Sequence, residues 1–204
     1  MFNRVLCGAG ILLLPAVMLP AAVLHVPGGY PTIQVALDAA REGDTVLVAP
    51  GEYVITAPLN FNRQHDPSNP ASPAARDLVL ASEAGPAATT IRLSAAAGLA
   101  TRASVVEFLH GESARSVLEG FTLTGGKGAD DGAGARLGGG IFCGRSSPTL
   151  RSCIIRANRA TAGGGLYAGG AAAPALINCV VAGNAAVQGG GVFVRSMAAA
   201  RLEN

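Results

Sequence analysis

GGGIFCGRSSPTLRSCIIRANRATA (residues 138–162) is followed directly by GGGLYAGGAAAPALINCVVAGNAAVQ (residues 163–188), and GGGVFV (residues 189–194) opens a third copy. Pro148/Pro174, Cys153/Cys179 and Asn158/Asn184 are each 26 residues apart, and Leu202-Glu203-Asn204 repeats Leu176-Ile177-Asn178 at the same offset. A fixed period in this range is the signature of a solenoid, whose units bury their apolar faces only against their neighbours. The repeat aligns Leu118, Leu150 and Leu176 in one column and Phe121, Cys153 and Cys179 in another. Each mature unit reads as three short strands: one after the glycines, one after the proline and one beginning at the cysteine.

Two polar columns accompany the apolar ones. Gly120, Ser152, Asn178 and Asn204 occupy one position between strands, where glycine and asparagine tolerate left-handed backbone angles. Asn158 and Asn184 form the other, and stacked asparagines can bond one another from rung to rung. Upstream, Ile33, Ala36, Leu37 and Ala40 fall on one helical face, with Thr32 as N-cap and Gly43 as the stop. The spacing predicts a short helix over Thr32–Arg41, capping the N-terminal end of the stack. Thr45–Val48 is a β-branched strand, and strand-like runs return at 77–81, 89–93, 104–109 and 117–124. Residues 62–76 read as a loop bulging from an early coil, and 127–137 as a glycine-rich insertion.

The first 24 residues read as an export leader. Arg4 supplies a basic start, residues 5–24 carry no charge, and Ala21-Ala22 offers a cleavage region. The alternative is a retained membrane anchor, against which Pro15 and Pro20 weigh. Residues 25–204 then form the solenoid, outside the cytoplasm: secreted, periplasmic or at the cell surface. Because the chain stops where the next cysteine is due, the last coil is expected to be truncated. Half of the 204 residues are apolar, 14% are charged and the net charge is +2, too weak and too dispersed a basicity for nucleic acid. Three cysteines remain beyond the leader, an odd number without CxxC spacing, so they read as buried free thiols rather than a disulfide framework or a zinc site.

GDTVLVAPGEYV, SEAGPAATTIRL, LEGFTLTGG and the GGGI…SPT…NC…GN units resemble right-handed parallel β-helix proteins. Within the pectin-lyase-like superfamily they look most like secreted bacterial β-helix repeat proteins of undefined activity. The resemblance implies an all-β fold, a right-handed parallel β-helix of three-strand coils of 25–26 residues with a short N-terminal capping helix. It leaves activity open, since one fold hosts many functions.

Enzymatic members of that superfamily, the polygalacturonases, place aspartates just before the first strand of successive coils. This chain has its glycine triplets there. Hydrolysis of a glycosidic bond needs two carboxylates, and the paired acids are Asp130 and Asp131, in the insertion. With Arg151 or Arg156 they are the weak candidates for a lyase site or a Ca2+ ligand pair. His110 beside Glu112 is a further acid–base candidate. Against these stands a binding reading. If Ile141, Leu166 and Val192 point inward, alternation sends Phe142, Tyr167 and Phe193 outward, with Glu107 continuing the column. Such an aromatic strip suits sugar rings, although rings in a row also stack on one another. The expected function is an exported, non-catalytic module contacting polysaccharide or the cell envelope, without cofactor. A polysaccharide lyase or glycoside hydrolase with incomplete active coils is the alternative.

Overall fold

A computed structural model of the chain describes residues 20–66, 68–94, 103–195 and 197–204. These residues form an all-β protein of parallel sheets with one short helix. The first sheet is built from β1 (Val23–Val26), β2 (Thr45–Val48), β5 (Val79–Ser82), β8 (Val117–Glu119), β13 (Thr149–Arg151), β17 (Ala175–Ile177) and β21 (Arg201–Glu203), in that order. The second runs β3 (Gly51–Ile55), β6 (Thr89–Leu93), β9 (Thr122–Thr124), β14 (Ile154–Arg156) and β18 (Val180–Ala182). The third runs β4 (Leu59–Asn60), β7 (Val106–Phe108), β12 (Ile141–Gly144), β16 (Leu166–Gly169) and β20 (Val192–Val194). Every pairing within these three sheets is parallel, and from β2 onward the chain visits them in rotation, advancing one strand per visit.

The core is three columns of inward side chains, one per sheet. Val46, Leu80, Leu118, Leu150 and Leu176 align in the first sheet. Tyr53, Ile91, Leu123, Ile155 and Val181 align in the second, and Leu59, Val106, Ile141, Leu166 and Val192 in the third. Leu80, Leu118 and Leu150 are buried, and Leu176 is 1% exposed, whereas Leu202 in the last rung is 65% exposed. The 26-residue alignment therefore holds to its last copy, since Leu176 pairs with Leu202 in register.

α1 (Ile33–Ala39) follows β1, with Ile33, Ala36 and Leu37 buried against β1, β2 and β4. Thr32 caps it as expected, its hydroxyl accepting from Val35 N at 3.3 Å. Arg76 reaches its C-terminus and donates to the carbonyls of Ala40 and Asp38.

Three features depart from the reading of the sequence. The mature coils hold four strands rather than three: β15 (Arg159–Ala162) and β19 (Ala185–Gln188) pair in parallel ahead of the glycine triplets. They extend a fourth sheet, begun by β10 (Ala129–Asp130) and β11 (Arg136–Leu137), an antiparallel hairpin made from the insertion. Their small residues lack apolar alternation, so the pairing comes from main-chain bonding to the hairpin. The third difference is β1, which begins at Val23 and pairs with β2 from Thr45. Leu24 and Val26 are buried there, so the folded stack takes in the last two residues assigned to the leader. The remainder of that segment, through residue 19, lies outside the described residues. Among the described residues no helix is long and apolar enough to cross a membrane.

Candidate functional site: an aromatic ladder on the third sheet

Phe142, Tyr167 and Phe193 stand in register on β12, β16 and β20, one ring per rung, and Glu107 on β7 continues their row. Phe142 and Tyr167 meet edge to face at 5.4 Å between ring centroids, and Tyr167 and Phe193 stack at 5.7 Å with planes 15° apart. Contacts of these kinds each add about 0.5–1.5 kcal/mol beyond the area they cover. A glycine two positions along each of the first two strands makes room for the rings. A methyl group on Gly169 would meet the Tyr167 ring at 2.8 Å, and one on Gly144 would meet Leu109 at 2.9 Å. The rings thus lie along the sheet over Gly144 and Gly169 rather than standing away from it.

This changes the picture of a uniformly exposed strip. Phe142 is half-buried above a buried Ile141, as alternation requires. Tyr167, sandwiched between two rings, is only 4% exposed against 0% for Leu166. Phe193 and Val192 are both half-buried. Tyr167 and Phe142 nevertheless line a depression of about 600 Å3, with Leu109 and Met197 at its apolar wall and Arg145 and Arg195 at its edge. Among the described residues neither arginine has a carboxylate partner, and the Tyr167 hydroxyl takes no hydrogen bond. Arg145 sits in a left-handed turn (φ 58°), stacked against Gly170 of the next coil. Both arginines lie outside the ring column, seven residues after Gly138 and six after Gly189, so they share no repeat column that the sequence could have shown.

Glu107 is half-buried at the end of the row, between Asn60 and Phe142 in register. Burial pushes its carboxyl above the ordinary value, only partly offset by a hydrogen bond from the Ser104 backbone. A carboxyl held toward its neutral form beside Phe142 can donate a proton or a hydrogen bond.

The other candidates are spread over separate parts of the fold. Asp131 Oδ1 accepts from Ala133 N and Ala135 N, both at 2.9 Å, and Asp130 Oδ1 accepts from Gly132 N at 3.0 Å. These close the hairpin turn. Arg151 pairs with Glu119 at 3.2 Å, and Arg156 is exposed at the end of β14. Among the described residues no group of three or more histidine, cysteine or acidic side chains is gathered for a metal. Glu112 is buried and accepts from Ser146 Oγ at 2.7 Å, His110 N at 2.9 Å and Asn62 Nδ2 at 3.3 Å, stitching three rungs together. It bonds the His110 backbone rather than the ring, whose Nδ1 is buried without a partner. His25 approaches Glu83 at 3.7 Å and His65 contacts Pro73 O at 2.7 Å, so the histidines share no site.

The glycine triplets are explained by packing. Gly138 and Gly163 have φ of 61° and 66°, and a methyl group on them would lie 2.2 and 2.3 Å from the carbonyl oxygens of Ile141 and Leu166. Cys143, Cys153 and Cys179 are free thiols. Cys153 and Cys179 face each other across adjacent rungs, flanked by the Arg151–Ile177 and Ile154–Val180 pairs. The hydrogen bond between them lowers the Cys179 thiol to about 7 and, together with burial, raises that of Cys153.

No family model, no curated protein and no solved structure matches the chain.

Proposed function

We propose that this chain is an exported right-handed parallel β-helix that binds polysaccharide or another polymer of the cell envelope without cleaving it. The observation that carries the reading is the ladder of Phe142, Tyr167 and Phe193 beside a depression edged by Arg145 and Arg195. A parallel stack repeats its side chains about 4.8 Å apart, so a polymer laid along the coils meets one ring per rung. The half-buried faces of Phe142 and Phe193 supply apolar contact for sugar rings. The Tyr167 hydroxyl and the two guanidinium groups supply hydrogen-bond donors, the usual division of labour in a ligand site. The export leader and the resemblance to secreted β-helix repeat proteins support an extracytoplasmic location.

A polysaccharide lyase or glycoside hydrolase is the second reading, and Glu107 favours it. Its carboxyl is held toward the protonated form at the end of the ladder, as a general acid would be. Its register neighbours Asn60 and Phe142 provide no second carboxylate, which hydrolysis requires. Incubation with a panel of uronate and neutral polymers separates the two readings. Retention of the protein on a polymer with no new chain ends supports the binding module. Release of unsaturated or reducing ends, abolished by Glu107→Gln, supports the enzyme.

A further inference from the structure

Acidic residues are absent between Asp131 and Glu203, so residues 132–204 carry seven arginines against one glutamate. Arg151 is neutralised by Glu119 and Arg201 by Glu203. The remaining arginines of this half have no carboxylate partner among the described residues. Coil stacking gathers two of them, with the chain's only lysine, around one groove on the fourth sheet. Lys127, Arg136 and Arg159 line this depression of about 550 Å3, floored by Ala160, Ala185 and Val187.

The backbones that carry the three cations are hydrogen-bonded into the stack. Lys127 N donates to Ala103 O at 2.9 Å, Arg159 N to Gly126 O at 2.9 Å, and Arg136 N to Thr161 Oγ1 at 3.0 Å. Gly128 lets the hairpin press close, since a methyl group there would lie 3.0 Å from the Arg136 Cβ. Asp130 stands opposite Arg136 in the hairpin register, with its Oδ1 on Gly132 N. Three cations around one groove, with no paired carboxylate among the described residues, form a positive field that attracts anions.

We infer that the fourth sheet carries a second binding surface, separate from the ladder, that takes an anionic glycan. The choice of a glycan rests on the binding function proposed above; the choice of an anionic one rests on this groove. Guanidinium forks match carboxylate and sulfate oxygens. The floor offers small residues and a valine 84% exposed, a surface for sugar C–H faces, and no aromatic ring on which nucleic-acid bases would stack. Arg136 lines this groove while its neighbour Leu137 lines the ladder depression, so one chain lying across β11 reaches both.

The test is binding of hyaluronate and alginate, against neutral dextran and a single-stranded DNA oligonucleotide of similar charge, measured by calorimetry on the full chain. The expected result is binding of the acidic glycans that weakens steeply as salt screens the cations, and that falls at least about tenfold in Arg136→Gln/Arg159→Gln. Arg136→Lys/Arg159→Lys retains the charge and should recover part of it. Should the glutamine variant fail to fold by circular dichroism, the salt series on the unaltered chain decides. Dextran bound as tightly as the acidic glycans, or acidic-glycan binding indifferent to salt and to both variants, overturns the cationic surface and leaves the ladder standing. Equal or tighter binding of the oligonucleotide overturns the choice of glycan. If no glycan of either kind binds, both readings fall.

Discussion

Asn158 and Asn184 are bonded directly across adjacent coils: the Asn158 backbone and side-chain amides both donate to Asn184 Oδ1, at 3.0 and 3.1 Å. Asn158 also accepts from Gly126 N at 2.9 Å and donates to Leu123 O at 3.0 Å, while Asn184 Nδ2 donates to Ile155 O at 2.8 Å. Asn158 is fully buried, so its removal strands polar groups that water cannot reach. Asn158→Ala should lower unfolding free energy by about 2–4 kcal/mol, more than one hydrogen bond contributes on average. Asn184→Ala, in a half-buried position, should cost less. Denaturant melts of the two variants check the order.

The triplet glycines make a steric prediction. A methyl group on Gly164 would lie 2.4 Å from Gly190 O, on the backbone of the next rung. Gly164→Ala should therefore destabilise by about 1–3 kcal/mol, the usual cost of overpacking. Gly132→Ala, in the hairpin turn with open space around it, should cost less and owe its cost to φ alone. Thermal melts of both variants distinguish crowding from backbone strain.

Glu107 predicts a pH dependence. Its folded pKa is raised by burial, so the neutral carboxyl is favoured in the fold. Its contribution is fully present below the unfolded value near 4.5 and is lost as pH rises through the folded value. Glu107→Gln, neutral at every pH, should be more stable than the parent at pH 7 and equal to it below pH about 4. Paired melts across that range check the sign.

The thiols should differ in reactivity. The hydrogen bond from Cys153 lowers Cys179 to about 7, and Cys179 is half-buried, whereas burial pushes Cys143 up. Iodoacetamide should label Cys179 first, with a midpoint near pH 7, and leave Cys143 and Cys153 until the chain unfolds. Peptide mass spectrometry gives the order. Cys153→Ser, which weakens the bond to Cys179, should shift that midpoint upward.

The aromatic ladder predicts separable effects on binding and folding. Phe142→Ser/Tyr167→Ser/Phe193→Ser should abolish polymer retention while the far-ultraviolet spectrum is kept, because the inward column of Ile141, Leu166 and Val192 is untouched. Tyr167→Phe removes only the hydroxyl, which has no partner among the described residues, and should weaken retention without changing the melting temperature.

The repeat made the stacking legible, because equal spacing of Gly138, Gly163 and Gly189 fixes which residues lie above one another. From that spacing come the Phe142–Tyr167–Phe193 row, the Leu150–Leu176 pair and the asparagine column. Thr32 as N-cap was equally visible, since a threonine ahead of an apolar helical face satisfies an open backbone amide. What stayed hidden depends on neighbours from other coils. β1 is VLHV inside a longer apolar stretch, and nothing local separates it from a leader. β15 is RATA and β19 AAVQ, strands only because they pair with each other and the hairpin. Tyr167 is buried by rings one rung away on either side, and Lys127, Arg136 and Arg159 meet only after the chain has wound past itself. Alternation predicts the face of a side chain but not what comes to rest on it.

Asn62 gives the early loop an unusual independence. Its amide donates to Arg76 O and accepts from Arg76 N, both at 2.9 Å, so one side chain closes the base of the excursion as a pair of main-chain bonds would. Beyond that clasp the excursion bonds to itself, Ser72 Oγ donating to Asp66 O at 2.9 Å and Ala71 N to Asn69 Oδ1 at 3.0 Å. Residues 64–75 are in effect a cassette: a foreign epitope or a longer recognition segment spliced there would be displayed from a rigid stem, leaving the stack beneath it to fold on its own terms.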